Sequence, residues 1–174
     1  MLMKISTMAV ASLFLLPAAS VSAQSVSDAQ IASIVVTANQ VDIDAGKLAS
    51  TKATSPEVKS FGQLMVTDHT SVNKSAVDLA TRLHVTPEDN PTSQSLKADG
   101  AKNIANLKTL KGAAFDKAYV DREVTYHQQV LDAVDTVLIP NAKNEELKAL
   151  IVKVRPAFVS HLEHAKQLQS AMAR

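Results

Sequence analysis

The chain has 174 residues, 18 basic against 17 acidic side chains, no cysteine, no tryptophan and only 3% aromatics. Near-neutral charge argues against a nucleic-acid partner, because phosphate binding needs clustered basic charge, and scarce aromatics leave no base-stacking platform. Without cysteine there is neither a disulfide nor a lipid-modified cysteine anchor.

Met1 to Ala23 carries one charge, Lys4, then a mostly apolar run to Pro17, then the small residues Val21-Ser22-Ala23. This is the pattern of a bacterial secretory signal. The apolar run is shorter than the roughly 20 residues that span a bilayer, and no later segment is apolar enough to do so. The expectation is a mature chain beginning near Gln24 and periplasmic or secreted, with residues 24–174 as a single helical-bundle domain. Loss of Lys4 leaves 17 basic residues against 17 acidic.

Four glycines and abundant Ala, Leu, Val, Lys and Gln favour helix almost throughout. The first helix is predicted from Ser27, a good N-cap, to about Ser50. Its apolar stripe is Ile31, Ile34, Val35, Ala38, Val41, Ala45 and Leu48. The second starts at Ser55-Pro56-Glu57, a strong start signal, and runs to about Leu83. His84 at its end reads as a capping cation. Thr86 to Pro91 reads as a loop. Ser93 to Leu110 is a shorter and weaker helix, and Gly112 marks a break. A further helix is predicted from about Phe115 to Leu138, and a last one from about Asn144 to Ala171. Pro156 should kink or split the last helix. The expected fold is all-α: an antiparallel four-helix bundle with a short extra helix between the second and third long ones.

Helical wheels place polar residues on the apolar faces. Asp42 points inward between Ala38 and Ala45, while Asp44 points outward. His69 lies near the stripe centre of the second helix, with Asp68 at its border. His127 is almost central in Tyr119 to Val134, and Glu123 stands one turn before it. His161 lies between Phe158 and Ala165, with His164 towards the edge. Asp42, His69, His127 and His161 each fall near the middle of a helix, so antiparallel packing brings them to one level. Bundle cores are a usual place for metal sites built from facing helices. Imidazole suits Zn, Cu, Fe and Ni, and carboxylates extend the range to Mn. The candidate ligands are His69, His127, His161, Asp42 and Glu123 for Fe, Zn, Cu or Mn, with Asp68, His164 and Tyr119 as supporting or edge residues. The standard di-iron Glu-x-x-His pair is absent: Glu123 and His127 are four apart, and His161 and His164 form His-x-x-His.

A second reading stays open beside the metal: the histidines form a buried hydrogen-bond network in a non-catalytic interaction or stress-protection bundle. There is no phosphate loop, nucleophile-elbow serine or HExxH motif, so an enzyme is credible only with a metal.

Four stretches carry a family resemblance: Asp42-Ile-Asp-Ala-Gly46-Lys-Leu-Ala49, Phe61-Gly-Gln-Leu-Met65-Val-Thr-Asp68-His69, Phe115-Asp-Lys-Ala-Tyr119 followed by His127, and Pro156 with His161-Leu162 and Ala165. In that order they resemble a bacterial family catalogued only as a domain of unknown function, family 4142, over nearly all of residues 24–174. The resemblance implies an exported, ferritin-like helical bundle and no particular activity. The family's usual glutamate in the first helix is Asp42 here, one methylene shorter. Members are often labelled outer-membrane proteins, but a helical domain is not a barrel, so the periplasm is the expectation.

Overall fold

A computed structural model describes residues 26–173, and the segment read as an export signal lies outside them. The helices are α1 (Asp28–Lys52), α2 (Pro56–Arg82), α3 (Pro91–Thr109), α4 (Gly112–Ala133), a π-helical turn (Val134–Leu138), the short α5 (Ile139–Asn141) and α6 (Glu145–Met172). No strand occurs among the described residues.

The helix starts follow side-chain chemistry. Ser27 Oγ accepts from Gln30 N while Gln30 Oε1 accepts from Ser27 N, a reciprocal box that satisfies two otherwise free donors. Ser55 Oγ accepts from Val58 N, and Pro56 opens α2, where its missing N–H costs nothing. Pro91, expected in the loop, is instead the first residue of α3. Asn90 Oδ1 takes the amides of Thr92 and Ser93, so the turn after it is already helical.

The ends depart further from expectation. His84 caps α2 through its backbone rather than its charge: at φ 53° its N–H reaches Thr81 O, and Val85 N reaches Ala80 O. That is a Schellman closure with a non-glycine residue in the left-handed position. The break at Gly112 is kept, with φ +58°. The segment expected as plain α-helix to Leu138 widens to π from Val134, and Ile139 N–H bonds to Val134 O. Pro140 supplies the reason: it has no N–H, and its ring crowds the carbonyl four residues back. Pro156 does not split α6, which runs unbroken from Glu145 to Met172. The carbonyl it leaves free is that of Val152, which is half exposed, so solvent reaches it.

Four helices form the bundle. α1 packs along α2 and α4 along α6, while α2 against α6 and α1 against α4 close the square. Neighbours are antiparallel throughout. Asp28, at the start of α1, accepts from the amides of Lys143 and Asn144 just before α6. Asp116, early in α4, accepts from Thr54 N, Thr54 Oγ1 and Ser55 N beyond the end of α1. α3 is the crossover. It lies outside the square on α1 and runs parallel to it: Asn90 Nδ2 donates to Gln30 O at one end, and Lys52 Nζ to Leu107 O at the other. One long crossover thus joins two antiparallel pairs.

Packing divides into two main apolar layers and a smaller group of Leu131, Phe158 and Leu162. Phe61, Met65, Phe115 and Tyr119 fill the end near the α1–α2 turn, and Ile31, Leu79, Val134 and Ile151 fill the other. Each fully buried large side chain contributes about 1.5–3 kcal/mol. α1 and α2 approach most closely where Gly46 faces Gly62. A Cβ on Gly46 would stand 2.7 Å from Gly62 O. The polar cluster sits between the two layers.

Candidate metal centre

The five candidate ligands meet in the core. Asp42 (α1), His69 (α2), Glu123 and His127 (α4) and His161 (α6) are each at most 3% exposed. The apolar stripes carry them inward, and the near-equal helix lengths bring them level. The rings of His69, His127 and His161 form a near-equilateral triangle with centroid separations of 5.6, 5.1 and 5.4 Å. One ligand atom from each lies within 4.8 Å of the other two.

Each imidazole is oriented by a bond from one nitrogen. His69 Nδ1 lies 2.7 Å from Asn39 Oδ1. The Asn39 amide is itself set by donating Nδ2 to Val35 O at 2.7 Å, so Oδ1 is the acceptor and His69 Nδ1 carries the hydrogen. His127 Nδ1 donates to the Glu123 carbonyl at 3.1 Å. His161 Nε2 lies 2.9 Å from Asp68 Oδ2 and donates to it. The second nitrogen of each ring, His69 Nε2, His127 Nε2 and His161 Nδ1, is buried without a hydrogen-bond partner. Three nitrogens without partners are thereby held in one small volume. Orientation of a ligating histidine through its other ring nitrogen is the usual support of a metal site.

The carboxylates adjoin this triangle. Asp42 Oδ2 is 3.5 Å from His69 Nε2, and Glu123 Oε2 is 3.4 Å from His127 Nδ1. Asp42, Glu123 and His127 form a second group with ligand atoms within 4.8 Å. The two groups share His127. With its Nδ1 on the Glu123 carbonyl, that ring has one nitrogen to give, so it serves one ion and not two.

Protonation follows from burial and charge. Burial, followed by the charges of His127 and His161, takes His69 down to about 2, so it is neutral. Burial also acts to lower His127, but Asp42 and Glu123 outweigh it and hold the ring at about 9. Burial lowers His161 against the opposing bond from Asp68. Asp42 is raised well above the usual carboxylate range by burial and then by Glu123. The cluster therefore holds buried acidic groups beside one imidazole kept charged, a setting in which a bound cation can take the place of the His127 proton.

The remaining residues take other places. Asp68 is partly exposed and acts through His161. Tyr119 is fully buried on the face of Glu123; burial, then Glu123 and Asp42, push its hydroxyl well up. His164 stands outside the triangle, edge-on to Phe61 at 4.9 Å. Asp44 is exposed as expected. Asn39 was missed by sequence reasoning, although it lies one turn before Asp42 on the same face. The larger cleft, about 870 Å³ between α1 and α3, touches none of the cluster.

The model of a family described as "Domain of unknown function (DUF4142)" matches residues 15–168. The chain belongs to the DUF4142 family. That match spans every cluster residue, so the histidine triangle of this DUF4142 protein lies wholly within the family domain. Comparison with curated proteins and with solved structures found no match.

Proposed function

We propose that this chain is an exported helical bundle that binds one divalent transition-metal ion through His69, His127 and His161, with Asp42 and Glu123 balancing its charge. One observation carries the reading: three buried imidazoles each have one nitrogen held by a defined partner and the other unpartnered, and the three rings face one another. Unpaired buried polar atoms are costly, and an ion satisfies all three at once. Three imidazoles favour Zn, Cu or Fe; the carboxylates keep Mn within range. Export is supported by the signal-like pattern of Met1 to Ala23. No helix among the described residues is long and apolar enough to cross a membrane.

The test is elemental analysis of mature protein made without a histidine tag, before and after incubation with Zn, Cu, Fe or Mn. About one ion per chain is expected, and a triple His69/His127/His161→Ala variant should lose it. Less than about 0.1 ion per chain under every condition sinks the proposal, since a structural or catalytic site approaches full occupancy.

A second reading has its own support. His127 is pushed up to about 9, so a proton there supplies the charge an ion would otherwise bring. On that reading the cluster is a structural hydrogen-bond network. His127→Ala then lowers thermal stability with no metal content to change.

A further inference from the structure

Beside the cluster, between it and the apolar layer of Ile34, Val134 and Ile151, lies an internal chamber of about 230 Å³. Its walls are almost wholly apolar. The Phe158 ring, stacked on His69 at 5.4 Å, forms part of one of them. The π-helical turn contributes Val134 and Leu138. Asn39, Asp42 and His69, which belong to or adjoin the cluster, form its floor. Thr92 on α3 and Gln129 on α4 are its exposed lining residues and mark the mouth.

We infer that this chamber binds a small uncharged molecule of about one aromatic ring, carrying a single hydroxyl directed at Asp42. Size sets the first part. Dry cavities of about 150 Å³ lined by Leu, Ile and Phe hold benzene, and this one is larger. The floor sets the second. The Asn39 amide is spent on Val35 and His69. What remains there is the Asp42 carboxyl and the free His69 nitrogen, and a hydroxyl, which both donates and accepts, can bond to either. An anionic head would meet the Asp42 carboxyl with Glu123 behind it, and an ammonium would lose its hydration in an apolar chamber at a cost of several kcal/mol. A hydroxyl meets neither penalty. The inference goes beyond the metal reading and stands without it, because the Asp42 carboxyl lines the floor whether or not His69 Nε2 is engaged by an ion.

The experiment is calorimetric binding of p-cresol, toluene and p-toluate to the mature protein, both chelator-treated and metal-loaded. p-Cresol should bind at least tenfold more tightly than toluene, and p-toluate should not bind. Ala133→Phe fills the chamber from α4 without touching the histidines, and should abolish p-cresol binding while metal content is kept. Ala38→Val is the milder filling variant if the first does not fold, and should weaken p-cresol binding. The inference is overturned if neither p-cresol nor toluene binds at millimolar concentration. It is overturned equally if toluene matches p-cresol, or if binding survives both filling variants. p-Cresol binding to a chain that takes up no metal supports the chamber while defeating the metal reading. Metal uptake without p-cresol binding does the reverse.

Discussion

Metal loading at pH 7 should release at least one proton, and His127 is its main source. In the metal-free chain Asp42 and Glu123 hold this ring at about 9 against burial, so at pH 7 all but about 1% of molecules carry the proton. An ion accepts only neutral imidazole, so that proton must leave. His69, at about 2, has none to lose, and His161 is lowered. Asp42, raised by burial and then by Glu123, can only add to that release. The assay is isothermal titration of Zn into chelator-treated protein in buffers of different ionisation enthalpy, where the slope of apparent enthalpy counts protons. The same linkage makes apparent affinity rise at least tenfold per pH unit from 7 towards 9 and flatten above it. A slope near zero, or an affinity flat between pH 7 and 9, would refute the reasoning.

Other predictions concern the chain without metal. Its stability should fall above neutrality. His69 has a folded value far below the ordinary 6.5, so its contribution is full above 6.5 and falls as pH drops below it. His127 has a raised value, so its contribution is full below 6.5 and is lost as pH climbs through about 9. Thermal melts across pH 4–10 would show this, and the alkaline loss should shrink in His127→Gln. Asp116→Ala should cost about 2–4 kcal/mol in urea unfolding, because it strands the Thr54 and Ser55 amides, while metal uptake persists. A result under about 0.5 kcal/mol would contradict the role given to that carboxylate. Gly62→Ala places a methyl 2.9 Å from Ala49 Cβ, Gly46 O and Ser50 N. The overpacking cost of about 1–3 kcal/mol should exceed the roughly 1 kcal/mol of helix propensity gained, so a more stable variant would disprove the close crossing. His84→Gly should stabilise the chain by up to about 1 kcal/mol, since it relieves the left-handed conformation at φ 53°.

The cluster was legible in the sequence because its signal is geometric. Asp42, His69, His127 and His161 interrupt apolar stripes near helix midpoints, and a bundle of near-equal antiparallel helices has little choice but to bring midpoints together. Caps such as Ser27 and Ser55 were equally plain, because their chemistry is local. What could not be read depends on partners from elsewhere in the chain. Asn39 is uncharged and looks like an ordinary helical polar residue until His69 stands opposite it. Asp68 sits on a stripe border, and only the α2–α6 packing shows that it serves His161. Asp116 gives no sign of its three donors, which lie more than sixty positions away. The π turn leaves no periodic trace over five residues, although Pro140 just beyond it is its cause. The course of α3 along α1 was also hidden, since a helix packed on one side from outside the square needs only a narrow apolar stripe.

The central claim is that three histidines converge on one ion. X-ray absorption spectroscopy at the metal edge of the loaded, untagged protein counts imidazoles through their multiple-scattering signature. The account predicts three per ion, falling to two in His161→Ala. A shell of oxygen donors alone, or one imidazole, would contradict it.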